Sequence, residues 1–85
     1  MQPIEELINC LNEYDCNIIK SYEVGDGQTV LHLGSFYFIN RKCLNSVNKA
    51  LSDYNERNDK KVILINITKG SKLINFNTTI NVKFK

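Results

Sequence analysis

His32 is the only histidine in the chain, so acid–base, metal or nucleophilic chemistry of the familiar kinds has to pass through it. Paired with Cys10, Cys16 or Cys43 it would form a thiolate–imidazole couple, which also needs a third group to orient the base. The surrounding residues argue against that use. His32 lies between Leu31 and Leu33 in a strand-like run, whereas Cys10 and Cys43 fall in helix-like runs with no nucleophile loop around them. A Cys₃His zinc set would draw on Cys10, Cys16, His32 and Cys43. Structural zinc sites take ligands in close pairs, and here the nearest two, Cys10 and Cys16, are separated by five residues. Cys10 and Cys43 read instead as small buried hydrophobes.

The acids Glu5, Glu6, Glu13, Asp15, Glu23 and Asp26 do not alternate as the ligands of a calcium loop must. They read as a solvated helix face and a polar turn. Neither GxxxxGK[ST] nor GxGxxG occurs, so no phosphate-cradling loop is evident. The expectation is a non-enzymatic protein without metal or cofactor.

The elements that would position these residues follow from periodicity. Pro3, Glu5 and Glu6 suit the first turn of a helix, and Ile4, Leu7, Ile8, Leu11 and Tyr14 recur on one face, predicting a helix over 3–14. Asn17 to Val24 reads as a strand with Ile18, Tyr22 and Val24 on one side. Gly25-Asp26-Gly27 is the hairpin turn that leads into a second strand from Gln28 to Leu33. Gly34-Ser35 is a bulge or a turn before Phe36-Tyr37-Phe38-Ile39. Asn40 is a fitting N-cap for a second helix, with Leu44, Val47, Leu51 and Tyr54 as its buried stripe, Ala50 beside them, and 55–59 as a polar exit.

Val62 to Thr68 is the most apolar strand and is expected at the centre of the sheet. Beyond Gly70-Ser71, the residues from Ile74 to Phe84 alternate strictly. Ile74, Phe76, Thr78, Ile80, Val82 and Phe84 are apolar or β-branched, and Asn75, Asn77, Thr79, Asn81 and Lys83 are polar. The element order is α-β-β(-β)-α-β-β. The fold class is α+β, one domain over 1–85, with four to five mostly antiparallel strands and both helices on one face. The halves share a plan, a short helix followed by a hairpin, without an evident residue-level repeat.

Charge is unevenly spread. Residues 1–40 carry one lysine against six acids, and residues 41–85 carry ten basic groups against three acids, within a net charge of +2. From Lys60 to Lys85 there are six lysines and no acid. Separate acidic and basic patches follow if strands of the two halves do not alternate in the sheet. Twelve asparagines, ten isoleucines and nine lysines against one alanine point to an AT-rich genome, such as that of a low-GC bacterium, its phages or plasmids, or a large DNA virus. The segment MQPIEELINC has neither a basic start nor an apolar core, and no run approaches the ~20 apolar residues of a membrane helix. The expected location is the cytoplasm of a cell or infected host, with reduced cysteines and no membrane partner.

The first functional expectation is a protein-binding inhibitor or regulator encoded by a phage or mobile element. Its target would be a host protein, with nucleic-acid-processing enzymes among the candidates. The binding residues would lie on the polar and lysine-bearing end: Lys69, Lys72, Asn75, Asn77, Asn81, Lys83 and Lys85. A homodimer through an edge strand is a further partner. The alternative is a nucleic-acid-binding module that uses the same lysines, with Tyr37 as a stacking residue.

Overall fold

A computed structural model describes residues 3–34, 41–69 and 78–85. The first helix, α1, spans Pro3–Glu13 and buries Leu7, Cys10 and Leu11, the inner edge of the expected stripe. It ends in a Schellman turn: the Cys16 N–H donates to Leu11 O and the Asp15 N–H to Asn12 O. Asp15 takes the left-handed position at φ 64°, where glycine is usual but a short polar side chain is tolerated. Cys16 and Leu11, brought together by that turn, are both fully buried.

The hairpin strands are β1, Ile18–Gly25, and β2, Gln28–Leu33. Asp26 and Gly27 both have positive φ, as a two-residue type I′ connection requires. The phase of β1 differs from the sequence expectation. A register shift between Ile18 and Lys20 places Ile18 opposite Leu33 but Tyr22 opposite Val30, so the two do not share a face. At the far end of the hairpin, a Cβ on Gly34 would lie 2.8 Å from both Asn17 Nδ2 and Ile19 Cγ2, a clash that only glycine avoids.

The second helix, α2, spans Arg41–Arg57 and continues through part of the expected polar exit. Its buried residues are Cys43, Val47, Ala50, Leu51 and Tyr54. Leu44, expected in this stripe, is 39% exposed; Cys43, one position earlier, takes its place against the core. The strands β3, Val62–Thr68, and β4, Thr79–Phe84, complete the sheet. The expected Phe36–Ile39 strand, Tyr37, the Asn40 cap and the first half of the expected last strand, including Lys72, Asn75 and Asn77, lie outside the described residues.

All described pairings are antiparallel and the order across the sheet is β1-β2-β4-β3. Among the described strands, Val62–Thr68 is therefore an edge strand, not the central one, and Thr79–Phe84 is central. The reason lies in the crossover. β2 and β3 both run antiparallel to β4, hence parallel to each other, and α2 connects them as a split β-α-β unit with β4 inserted between. Ile80 and Val82 of β4 are fully buried, as are Leu31 and Leu33 of β2. With Val62 and the helix stripes they form one core on one face of the sheet. Burying a leucine or isoleucine of this kind contributes about 1.5–3 kcal/mol. The architecture is α+β, in the order α-β-β-α-β-β. No described helix is long and apolar enough to cross a membrane.

Candidate functional site

The strand register distributes the polar residues over the second face, which is helix-free among the described residues. One row across the sheet holds Lys20, His32, Thr79 and Thr68. The next holds Tyr22, Val30, Asn81 and Asn66, and a third holds Gln28, Lys83 and Ile63. Because paired residues project to the same side and alternate with Leu31, Leu33, Ile80 and Val82, these rows face away from the helices. Tyr22 is 44% exposed, and its ring centroid lies 5.7 Å from that of His32. The Lys20 ammonium sits 5.7 Å from the Tyr22 centroid, within cation–π range. Asn81 donates to Asn66 across the β4–β3 pair.

His32 Nε2 is buried and has no hydrogen-bond partner among the described residues. Burial and the neighbouring Lys20 charge lower the His32 pKa below its ordinary value, so the imidazole is neutral at neutral pH. Among the described residues no carboxylate is assigned to this face. Glu23 pairs with Thr29 on the helix side, and Asp26 lies in the turn. The other acids belong to the helices and the segments that follow them.

Of the residues nominated from sequence, Asn81 and Lys83 are brought together here. Lys69 and Lys85 flank the ends of β3 and β4 and are exposed. Tyr22, His32 and Lys20 were not readable as part of such a site, because the β1 shift that turns Tyr22 outward has no signature in the residue pattern. The strands of the acidic and basic halves do not alternate. β1 and β2 occupy one side of the sheet and β4 and β3 the other, so the charge asymmetry of the sequence carries over into the fold.

Large apolar side chains are exposed at both edges: Ile19, Tyr22 and Val24 on β1, and Ile63 and Ile65 on β3. Both edges are also interrupted. Register shifts fall near each end of β1 and between Leu64 and Asn66 of β3, which disfavours regular addition of another strand. On β3 the Asn55 side chain accepts from the Val62 N–H at 2.8 Å and donates to its carbonyl at 2.9 Å. It occupies Val62 as a neighbouring strand would. The last strand in the chain, placed centrally, offers no edge at all.

A second polar cluster joins the helices. Arg57 Nη2 lies 3.0 Å from Asp53 Oδ2, 3.3 Å from Cys10 Sγ and 3.6 Å from Glu13 Oε2, beside a cavity of about 290 Å³. The Tyr14 hydroxyl donates to the same Asp53 oxygen at 3.3 Å. Cys10, Glu13 and Asp53 are spaced as metal ligands could be. The positive charge among them is the guanidinium, however, and burial raises the Cys10 pKa, with the Arg57 hydrogen bond only partly opposing it. A thiol that keeps its proton is a poor ligand and a poor nucleophile. The cluster therefore pins the end of α1 to the end of α2.

Burial likewise raises Cys43 and pushes Cys16 up to about 12. All three thiols lie in the core on the helix side, away from His32 on the open face, so the structure assembles neither the Cys₃His set nor a cysteine–histidine pair. No family model, no curated protein and no solved structure matches this chain.

Proposed function

We propose that this chain is a non-enzymatic binding protein whose working surface is the helix-free face of its sheet, and that its partner is another protein. The observation that carries the reading is the grouping of apolar side chains beside a polar pair. Ile63, 42% exposed, lies in the row next to the Asn66–Asn81 pair, Ile65, equally exposed, precedes Asn66 at the register shift, and Tyr22 closes the row of that pair beyond Val30. Exposed apolar side chains grouped beside hydrogen-bonding groups on one sheet face suit a small protein contact. The biological reading is an inhibitor or regulator encoded by a phage or mobile element and directed at a host enzyme, in keeping with the AT-rich residue usage.

The test is capture from native host lysate with wild-type protein and with an Ile63→Asp/Ile65→Asp variant, after circular dichroism shows that both are folded. A partner retained by wild type and lost by the variant is the expected result. An identical set of captured proteins would remove the apolar group from the account.

The second reading is direct binding of nucleic acid in the same cytoplasmic setting. One observation favours it: the open face carries Lys20 and Lys83 around the Tyr22–His32 pair without an opposing carboxylate among the described residues.

A further inference from the structure

We propose that the helix-free sheet face is a platform for a single-stranded polynucleotide, on which Tyr22 and His32 stack bases while Lys20 and Lys83 meet phosphates. This rests on the nucleic-acid reading above and gives it a site and a strand type.

Three features of the face converge on that ligand. The Tyr22–His32 pair presents two adjacent π-surfaces in a sheet, and bases stack on such surfaces whatever their sequence. The cations lie at opposite corners of the register. Lys20 is on β1 in the row of His32, and Lys83 is two strands and two rows away on β4. With strands about 4.8 Å apart and rows about 6.8 Å apart, the corners are separated by roughly 17 Å, a span for a few extended nucleotides. Between them Asn81 and Thr79 of β4 offer amide and hydroxyl groups to base edges, and Asn66 lies one strand beyond on β3.

A duplex fits less well. Its bases are already stacked and hidden, and the face is a sheet surface without a helix or ribbon to enter a groove. An acidic polypeptide would satisfy the two lysines but would have no use for a paired aromatic surface. The half-buried, neutral His32 ring backs Tyr22 and adds to the stacking area.

The experiment is fluorescence anisotropy with labelled oligothymidylate and oligouridylate of about 15 nucleotides, a duplex of equal length, and polyglutamate as competitor. Each is measured at ~50 and ~200 mM salt. Binding to the single strands through two neutralised phosphates should weaken about sevenfold between those salts. Tyr22→Ala should weaken it by at least about fivefold, and Tyr22→Phe should restore it. Lys20→Gln and Lys83→Gln should each flatten the salt dependence, and Lys49→Gln on α2 should not.

If single strands bind but none of the face variants changes affinity, the platform is wrong and the nucleic-acid reading stands. If neither strand binds at either salt, both fall and the protein-partner reading is left. Competition by polyglutamate that is equally sensitive to Tyr22→Ala would reassign the face to acidic polypeptides. Tyr22 is 44% exposed and lies outside the core, so its variants should stay folded, and circular dichroism checks this.

Discussion

The N-terminal half (α1, β1, β2) and the C-terminal half (α2, β3, β4) are two versions of one α-β-β plan held with unequal firmness. At an offset of 43 residues, Ile4, Leu7, Ile8, Leu11, Asn12 and Glu13 correspond to Val47, Ala50, Leu51, Tyr54, Asn55 and Glu56. In both halves the asparagine side chain accepts from the N–H of the first residue of the following strand, Ile18 or Val62, at 2.8 Å. The halves diverge beyond that. Asn55 also donates back to Val62, Asn58 donates to the Tyr54 carbonyl, and the Lys61 ammonium binds two further carbonyls near the end of α2. Helix α2 is 17 residues long against 11 for α1. β1, at the end of the strand order, is exposed along nearly its whole length. The strand that contributes Tyr22 and Lys20 to the open face is thus the one held least, and recognition and looseness share an address.

The largest effect that should sharpen this contrast is in the core. Tyr54→Ala should cost about 3–5 kcal/mol of stability, and Leu11→Ala, its counterpart, about 2–5 kcal/mol with the smaller loss expected. Urea denaturation read by circular dichroism measures both. If Leu11→Ala costs more, the N-terminal half is the better anchored.

Next come the matching asparagines. Asn55→Ala strips two partners from a buried residue and should cost about 1–3 kcal/mol, whereas Asn12→Ala removes one bond at an exposed site and should cost about 0.5–1.5 kcal/mol. Equal losses would mean that both strand starts are equally sealed. Native-state hydrogen exchange should find the β1 amides opening at lower free energy than those of β4, and equal protection would break the comparison.

The smallest effect is pH dependence from His32 in the N-terminal half. Its folded pKa lies below the unfolded value near 6.5, so the unfolded chain takes up the proton first. Stability from this residue is intact above that value and declines as pH falls below it. Thermal melts between neutral pH and about pH 5 should show the decline, and His32→Gln should lessen it.

Much of the fold was legible because local patterns carried it: the α1 and α2 stripes, the Asp26-Gly27 turn, and the alternation of buried and half-buried residues from Thr78 to Phe84. What failed was whatever depended on neighbours. The run Val62–Ile65 reads as buried on both faces, yet β3 is an edge strand with Ile63 and Ile65 in solvent. Pairing order is decided by the crossover, which no single segment encodes. Leu44 and Cys43 differ by one helical position, and both are apolar, so periodicity alone could not choose between them. The open face is likewise a cross-strand property. Asn81 and Lys83 were visible in one segment, but Tyr22 and His32 meet only after a one-residue shift in β1.

The placement of β4 has a consequence for the order in which the molecule is made. Of the four described strands the central one emerges last during synthesis, and until residues 79–84 appear, β2 and β3 each lack their shared neighbour. A helix and a lone hairpin are marginal in water, so the nascent chain should wait largely unfolded and close in a late step that joins both halves at once. During that wait the inner edges of both halves are open, which makes the unfinished chain more adhesive than the finished one.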